Sequence, residues 1–384
     1  MRRLYFDYNA SAPIDPHVLD AVVEALRACG GNPSSVHREG QRARAAVEAA
    51  RRHVAALIGA HSTEITFTSG ATEANNAALL TLAAATEGAL VTTLVEHPSV
   101  LAPLAAIEAR GRAVLRVAVD PLGMIPEPED LIGQAERAGA GALSVMLANN
   151  ETGNLFPVAR LAALARARGW PTHCDATQAV GKLPVDVEAL GVDLLSLSGH
   201  KLGAPKGVGA LFARADFEPA AAILGGHQER GRRGGTENVP AIVGLGRAAE
   251  IAARRLADER EAPSPLAALR DALWDAIAAI EPRAVRQTHP TLCLPNTLNV
   301  RFPDVDGETL LLNLDLDGIA VSAGSACTAG SLEPSHVILA MGVPPDLARG
   351  SVRFSLGPPH TLDDVLALID RLPAVLARTR TPRW

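Results

Sequence analysis

Cysteine is scarce in this chain: 384 residues hold four, Cys29, Cys174, Cys293 and Cys327, far apart and without a C-x-x-C pair. That spacing argues against a disulfide framework or a zinc site and fits a reducing cytoplasm. Long runs of one charge are missing too. The 36 basic and 42 acidic residues leave a formal net charge of -6, spread along the chain, so nothing marks nucleic acid or an anionic membrane as a partner. No apolar run reaches bilayer-spanning length, and Arg2 and Arg3 near the start are not followed by an apolar stretch. The expectation is a cytoplasmic protein with no membrane segment and no targeting segment. Internal repeats and low-complexity tracts are also lacking.

What is present is enough apolar sequence for more than one core, so a large and a smaller domain are expected. From 16 to 260, helical stretches rich in Ala, Arg and Glu alternate with short apolar runs. This is the α/β pattern of βαβ units around a mostly parallel sheet. Residues 37–58 form the clearest helix, with Val47, Val54 and Ile58 on one stripe and Gly59 able to end it. Strands are predicted at 64–68, 90–95, 114–117, 142–147, 171–174, 194–197 and 208–212. A long helical connector follows at 241–280, interrupted around Pro263 and Pro265. Beyond it, strands at 296–302, 319–322 and 351–356 interleave with helices at 307–312 and 362–378, an α+β pattern. The reading is a large domain up to about residue 260 and a smaller one beyond it.

Ligands of open α/β sheets gather beyond the carboxyl ends of the strands, and here those ends are polar and reactive. Ser69-Gly70-Ala71-Thr72-Glu73 leads into a helix whose free N–H groups suit a phosphate, though most such turns are plain helix caps. His97 could lie flat on an aromatic ligand or move protons, or merely cap a helix. Asn149 opens a run of amide and hydroxyl groups that could hold a ligand oxygen or form an Asx turn. Asp175 ends a buried strand, where an unpaired carboxylate is costly. A helix N-cap would satisfy it, and so would a protonated pyridine nitrogen. Ser198-Gly199-His200-Lys201 is the most telling segment, because a lysine desolvated among small residues can form an imine with an aldehyde cofactor.

Residues 225–238 combine glycines with Arg230, Arg232 and Arg233 and could grip a phosphate of this chain or of a neighbouring subunit. Residues 351–356 alternate as a half-buried strand does and put Arg353 on its polar face, for a substrate carboxylate or for a structural ion pair. Cys327 lies in Ser322-Ala323-Gly324-Ser325-Ala326-Cys327-Thr328, without large apolar neighbours to bury it, so a reactive thiol is expected.

Together these motifs resemble the cysteine desulfurases, within the class-V aminotransferase-like pyridoxal-phosphate enzymes of fold type I. The likeness runs nearly end to end, through Asp7-Tyr8-Asn9-Ala10, Gly31-Asn32-Pro33-Ser34-Ser35, Ser198-Gly199-His200-Lys201, Thr236, the Cys327 segment and Ser351-Val352-Arg353-Phe354. Residues 225–233 and the ending Arg383-Trp384 look most like the nitrogen-fixation (NifS) type. Tyr8, Ser11 and Leu202-Gly203-Ala204 depart from the commoner pattern at the edges of these motifs.

The resemblance implies pyridoxal 5'-phosphate bound in a large domain of residues 16–260 and a small domain, residues 1–15 with 261–384, that carries the catalytic cysteine. Lys201 would hold the cofactor covalently, Asp175 would pair with its ring nitrogen, His97 would stack on the ring and Gln178 would meet the phenolic oxygen. Ala71, Thr72, Ser198 and His200 would surround the phosphate, joined by Thr236 from the other subunit of a homodimer. Arg353 would hold the carboxylate of L-cysteine, with Asn149 and Asn9 in support. Lys201 and His97 would move protons, Cys327 would take the sulfur as a persulfide, and alanine would leave. The implied outlet is an iron–sulfur scaffold protein, nitrogenase assembly included. An aminotransferase and a selenocysteine lyase are rival readings that keep the same cofactor, and a non-catalytic scaffold is a third.

Overall fold

Short runs of Val, Leu and Ala bounded by glycine and polar turns form strands here because both faces of each run can be buried between helices. The structure is a computed structural model that describes residues 2–259, 264–323 and 334–380. In chain order, β1 (Leu4–Tyr5) precedes α1 (Pro16–Ala28) and α2 (Arg38–Leu57). Strands and helices then alternate: β2 (Ile65–Thr68), α3 (Ala71–Ala85), β3 (Ala89–Thr93), α4 (Pro98–Glu108), β4 (Val114–Val117), α5 (Pro128–Arg137), β5 (Ala140–Ser144), α6 (Val158–Arg166) and β6 (Thr172–Asp175). After α7 (Val187–Leu190), β7 (Leu194–Ser198) and β8 (Gly209–Ala213), the long α8 (Val239–Asp258) packs on α1 and α2.

Seven of these strands form one sheet in the order β2-β8-β7-β6-β5-β3-β4. β8 is antiparallel to both of its neighbours, and the remaining pairs are parallel. Six strands therefore point the same way, and β8 alone runs against them. The segments after β2, β3, β5, β6 and β7 consequently meet at one edge of the sheet, where an open α/β fold keeps its ligands.

The rest of the chain comprises α9 (Pro265–Ile280), β9 (Val285–Arg286), β10 (Thr297–Arg301), α10 (Gly307–Leu316), β11 (Ile319–Ala320), β12 (Ser322–Ala323), α11 (His336–Ala340), α12 (Pro345–Ala348), β13 (Ser351–Ser355) and α13 (Leu362–Thr379). β12-β13-β10-β9 is an antiparallel sheet, and β1 pairs in parallel with β11. Leu4 and Phe6 join Leu273, Leu298, Val352, Phe354 and Leu368 in a core separate from the main one. The main core is built from the seven-stranded sheet and its helices, and Val337, Ile338 and Met341 of the C-terminal part pack into it. Each fully buried Leu, Val or Phe contributes ~1.5–3 kcal/mol.

The expected strands recur within about two or three residues of their positions. The connector 241–280 is two helices, α8 and α9, with Pro265 in the first turn of the second, where its missing N–H is harmless. The expected strand 319–322 splits, because Val321 separates β11 from β12 and the two pair in different sheets. Among the described residues, no helix is long and apolar enough to cross a membrane.

Candidate active site

The shared edge of the sheet opens into a cavity of about 570 Å³. Its lining includes ten of the residues expected there: Asn9, Ala71, Thr72, His97, Asp175, Gln178, Ser198, His200, Lys201 and Arg353. They arrive from the ends of β2, β3, β6 and β7, from the segment after β1 and from β13, which is why residues hundreds of positions apart meet.

The turn between β2 and α3 is the phosphate-like corner. Gly70 caps the 15-residue α3 with φ +154 and no side-chain cap, so the first helical N–H groups lack a side-chain acceptor. Gly209 on β8 packs against this turn, and a Cβ there would lie 2.7 Å from Gly70 Cα. Only glycine lets the strand and the turn approach so closely. Ser198 and His200 face the same corner from the end of β7. Burial, with Lys201 and Lys206 nearby, pushes the His200 imidazole down to about 4, so it is neutral at pH 7.

Asp175 ends β6 and is 6 % exposed. Its Oδ2 accepts from Asn75 Nδ2 at 2.8 Å and its Oδ1 from the Thr177 N–H at 3.0 Å. Both donors are neutral, and no ion pair reaches this carboxylate among the described residues. Thr177 Oγ1 beside it is buried without a hydrogen-bond partner, although Thr177 lines the cavity. His97, at the N-cap of α4, accepts from the Ser99 N–H through Nδ1 at 3.1 Å, which assigns the proton of the neutral ring to Nε2. Burial lowers the His97 pKa, the Asp175 charge opposes that shift, and Lys201 and His336 add to it.

Lys201 closes the 3-10 turn after β7, and its Nζ donates to Asn9 O at 2.6 Å and Ala10 O at 2.8 Å. Asn9 is a buried hub. Its Nδ2 donates to Thr297 Oγ1 at 2.8 Å, and its Oδ1 accepts from Lys182 Nζ at 2.7 Å and from Asn296 Nδ2 at 3.2 Å. Arg353 on β13 is 1 % exposed yet lines the cavity. It pairs with Asp7 Oδ1 at 2.8 Å and donates to Asn150 O at 2.8 Å, while its Nε has no partner. The ion-pair reading of Arg353 is thus realised, with part of the guanidinium left over.

Two expected residues stand outside this cavity. Asn149 lies behind the wall, its Nδ2 on Val95 O at 3.0 Å and its Oδ1 accepting from the N–H groups of Glu151 and Thr152, both at 2.9 Å. Thr236 is exposed on the 225–238 segment. The arginines of that segment are tied to their own chain: Arg230 and Arg232 donate to Thr63 O, and Arg233 pairs with Glu73 at 3.0 Å. Cys327 lies outside the described residues. The strand-end reading gave no role to Lys182, Glu151 or Asn75, each of which has a partner far away in sequence: Asn9, Ser335 and Asp175. Glu151 is 1 % exposed, accepts from Ser335 Oγ, and has its carboxyl pushed up by burial.

Residues 4–368 match the family model described as aminotransferase class-V. The chain is 43 % identical over 383 residues to the cysteine desulfurase of Trichormus azollae, covering 99 % of this chain and 94 % of that protein. A solved NifS-like protein superposes with a TM-score of 0.89 at 35 % identity, over 98 % of this chain and 100 % of that one. SspA in complex with cysteine gives a TM-score of 0.81 at 34 % identity, over 93 % of this chain and 100 % of that one. With a family model across nearly its whole length and relatives of this likeness, the chain belongs to the class-V aminotransferase family, a pyridoxal-phosphate-dependent family, on its cysteine desulfurase branch.

Proposed function

We propose that this protein is a cysteine desulfurase that converts L-cysteine to L-alanine and takes the sulfur onto Cys327. The observation that carries the reading is the buried Asp175 carboxylate, held by neutral donors alone, in one cavity with the Lys201 amine. A carboxylate there is costly unless a cation arrives, and a protonated pyridine nitrogen is such a cation. The uncapped start of α3, together with Ser198 and a neutral His200, suits a phosphate. The unpartnered Thr177 Oγ1 is a further sign that a polar ligand belongs in the cavity. The residues present therefore fit pyridoxal 5'-phosphate.

Lys201 would hold the cofactor covalently, Asp175 its ring nitrogen, His97 its face and Gln178 its phenolic oxygen. Ala71, Thr72, Ser198 and His200 would hold its phosphate. Bound there, the cofactor supplies an aldehyde that captures amines and a cationic ring that withdraws electrons from a substrate α-carbon.

Arg353, with its Nε still open, orients the substrate carboxylate, and Asn9 holds that wall in place. Lys201 Nζ takes the α-proton, and His97 Nε2–H is the donor within the site. The Cys327 thiolate attacks the substrate sulfur. A sulfur–sulfur bond forms, the substrate C–S bond breaks with its electron pair left on the β-carbon, and protonation of that carbon, with return of a proton from Lys201 to the α-carbon, completes alanine. The sum is cysteine plus thiol giving alanine plus persulfide, which balances without an added oxidant or reductant.

We take the protein to be a cytoplasmic homodimer, with Thr236 reaching the phosphate of the other subunit, since Thr236 is exposed outside its own cavity. The separate cores support a large domain of residues 16–260 and a small one of residues 1–15 with 261–384. An iron–sulfur scaffold protein is the acceptor we infer for the sulfur.

The test supplies L-cysteine and a thiol reductant to the purified holoenzyme. Alanine and sulfide should appear in equal amounts, while Cys327→Ser should release sulfide at least ~100-fold more slowly. Sulfide from the serine variant at the wild-type rate would overturn the persulfide step.

A further inference from the structure

Lys182 lies in the turn between β6 and α7 and makes two hydrogen bonds, from Nζ to Gln178 Oε1 at 2.6 Å and to Asn9 Oδ1 at 2.7 Å. Neither partner is charged, and no carboxylate pairs with it among the described residues. Its ammonium is held well below the ordinary lysine range by burial, and the charges of Lys201, Arg353 and Arg255 add to the shift. A lysine buried among cations without a counter-ion lowers stability whether it stays charged or gives up its proton, so its retention calls for a reason other than packing.

Gln178 supplies that reason. Its side chain is 5 % exposed and lines the cavity. At one end Oε1 meets Lys182, a group with three donors and no acceptor when charged. At the other end Nε2 donates to Asn9 O at 3.0 Å, a carbonyl that only accepts. The amide therefore has one orientation, and the second Nε2 hydrogen makes no hydrogen bond among the described residues. A donor bound at the carbonyl end of an amide also polarises its N–H and makes it a stronger donor.

We propose that Lys182 is a positioning residue: by donating to Gln178 Oε1 it orients and strengthens Gln178 Nε2–H as the donor to an anionic ring oxygen of the cofactor. The inference rests on the reading above that gives Gln178 the phenolic oxygen.

The test follows the visible absorption of the bound cofactor against pH in four holoenzymes: wild type, Lys182→Met, Gln178→Met and the double variant. A weaker donor leaves the ring oxygen more basic, so a proton shared with it is held more tightly. Each single variant should raise the titration midpoint by about one pH unit. If Lys182 acts through Gln178, the double variant should show no more than the Gln178→Met shift. An unmoved midpoint in Lys182→Met beside a shifted Gln178→Met overturns the inference. So does a Lys182→Met shift that persists in full without Gln178, because that is a plain effect of charge. An unmoved midpoint in Gln178→Met removes the role given to Gln178, and the inference falls with it. Should the methionine variant not fold, Lys182→Gln decides the same question: it keeps polar atoms at the site but does not fix the amide. A smaller rise that vanishes in the Gln178→Met background is expected, and no rise overturns the inference.

Discussion

Glu96 stands directly before His97 and is fully buried. Burial pushes its carboxyl up to about 8; the Met146 N–H at 3.0 Å and the Thr93 hydroxyl at 2.9 Å oppose the shift, and the Asp175 charge adds to it. Folded Glu96 is therefore protonated at pH 7, whereas the unfolded chain ionises it near 4.5. Between those values the folded state binds the extra proton, so this group's contribution to stability falls as pH rises, by up to about 1.4 kcal/mol per unit. Glu96→Gln should remove that slope. Urea denaturation at pH 5.5 and 7.5 should show the variant gaining on wild type at the higher pH, and an equal difference at both would contradict the assignment. No signal in the chain separates such an interior acid from a surface one, because Met146 and Asp175 are distant in sequence. Lys182 is hidden in the same way: its partner Asn9 is 173 positions away. His97, Asp175 and Lys201 were legible because each lies within four residues of the end of an apolar run.

At the scale of elements, the strand ends were readable because buried parallel strands are short, apolar and bounded by polar turns. The antiparallel course of β8 was not, since its sequence has the same apolar character as its neighbours. The 225–238 segment shows a second limit. Its arginines read as phosphate ligands, but one of its acids anchors it. Glu229, at φ 46, and Arg230, at φ 60, hold left-handed backbone that only glycine adopts freely. Glu229 is fixed by Arg51 through two bonds of 2.6 and 2.9 Å, and it accepts from the Phe67 N–H at 2.9 Å. Glu229→Ala leaves the buried Arg51 guanidinium with only Glu48, at 3.2 Å, as a carboxylate partner and should cost about 3 kcal/mol. It should also make the segment a preferred site of protease nicking. A denaturation midpoint and nicking rate equal to wild type would show that the segment is held by something else.

For the whole molecule, the decisive arrangement is a second core that encloses the N-terminal Leu4 and Phe6 with residues from 273 onward. It brings Asn9 and Arg353 over the edge of the large sheet, so the cavity is made by both parts of the chain. Composition and periodicity predicted a large and a smaller domain. The partnership of the first ten residues with the C-terminal third came only from the resemblance, since a two-residue strand such as β1 leaves no periodic trace. The central claim is that this enclosed site transfers sulfur from cysteine to Cys327. Its most direct test is to mix the purified holoenzyme with one equivalent of L-cysteine, without reductant, and to measure alanine together with the mass of the Cys327 peptide. One alanine for each added sulfur on Cys327 is the predicted result; no alanine, or alanine formed while Cys327 stays unmodified, would contradict it.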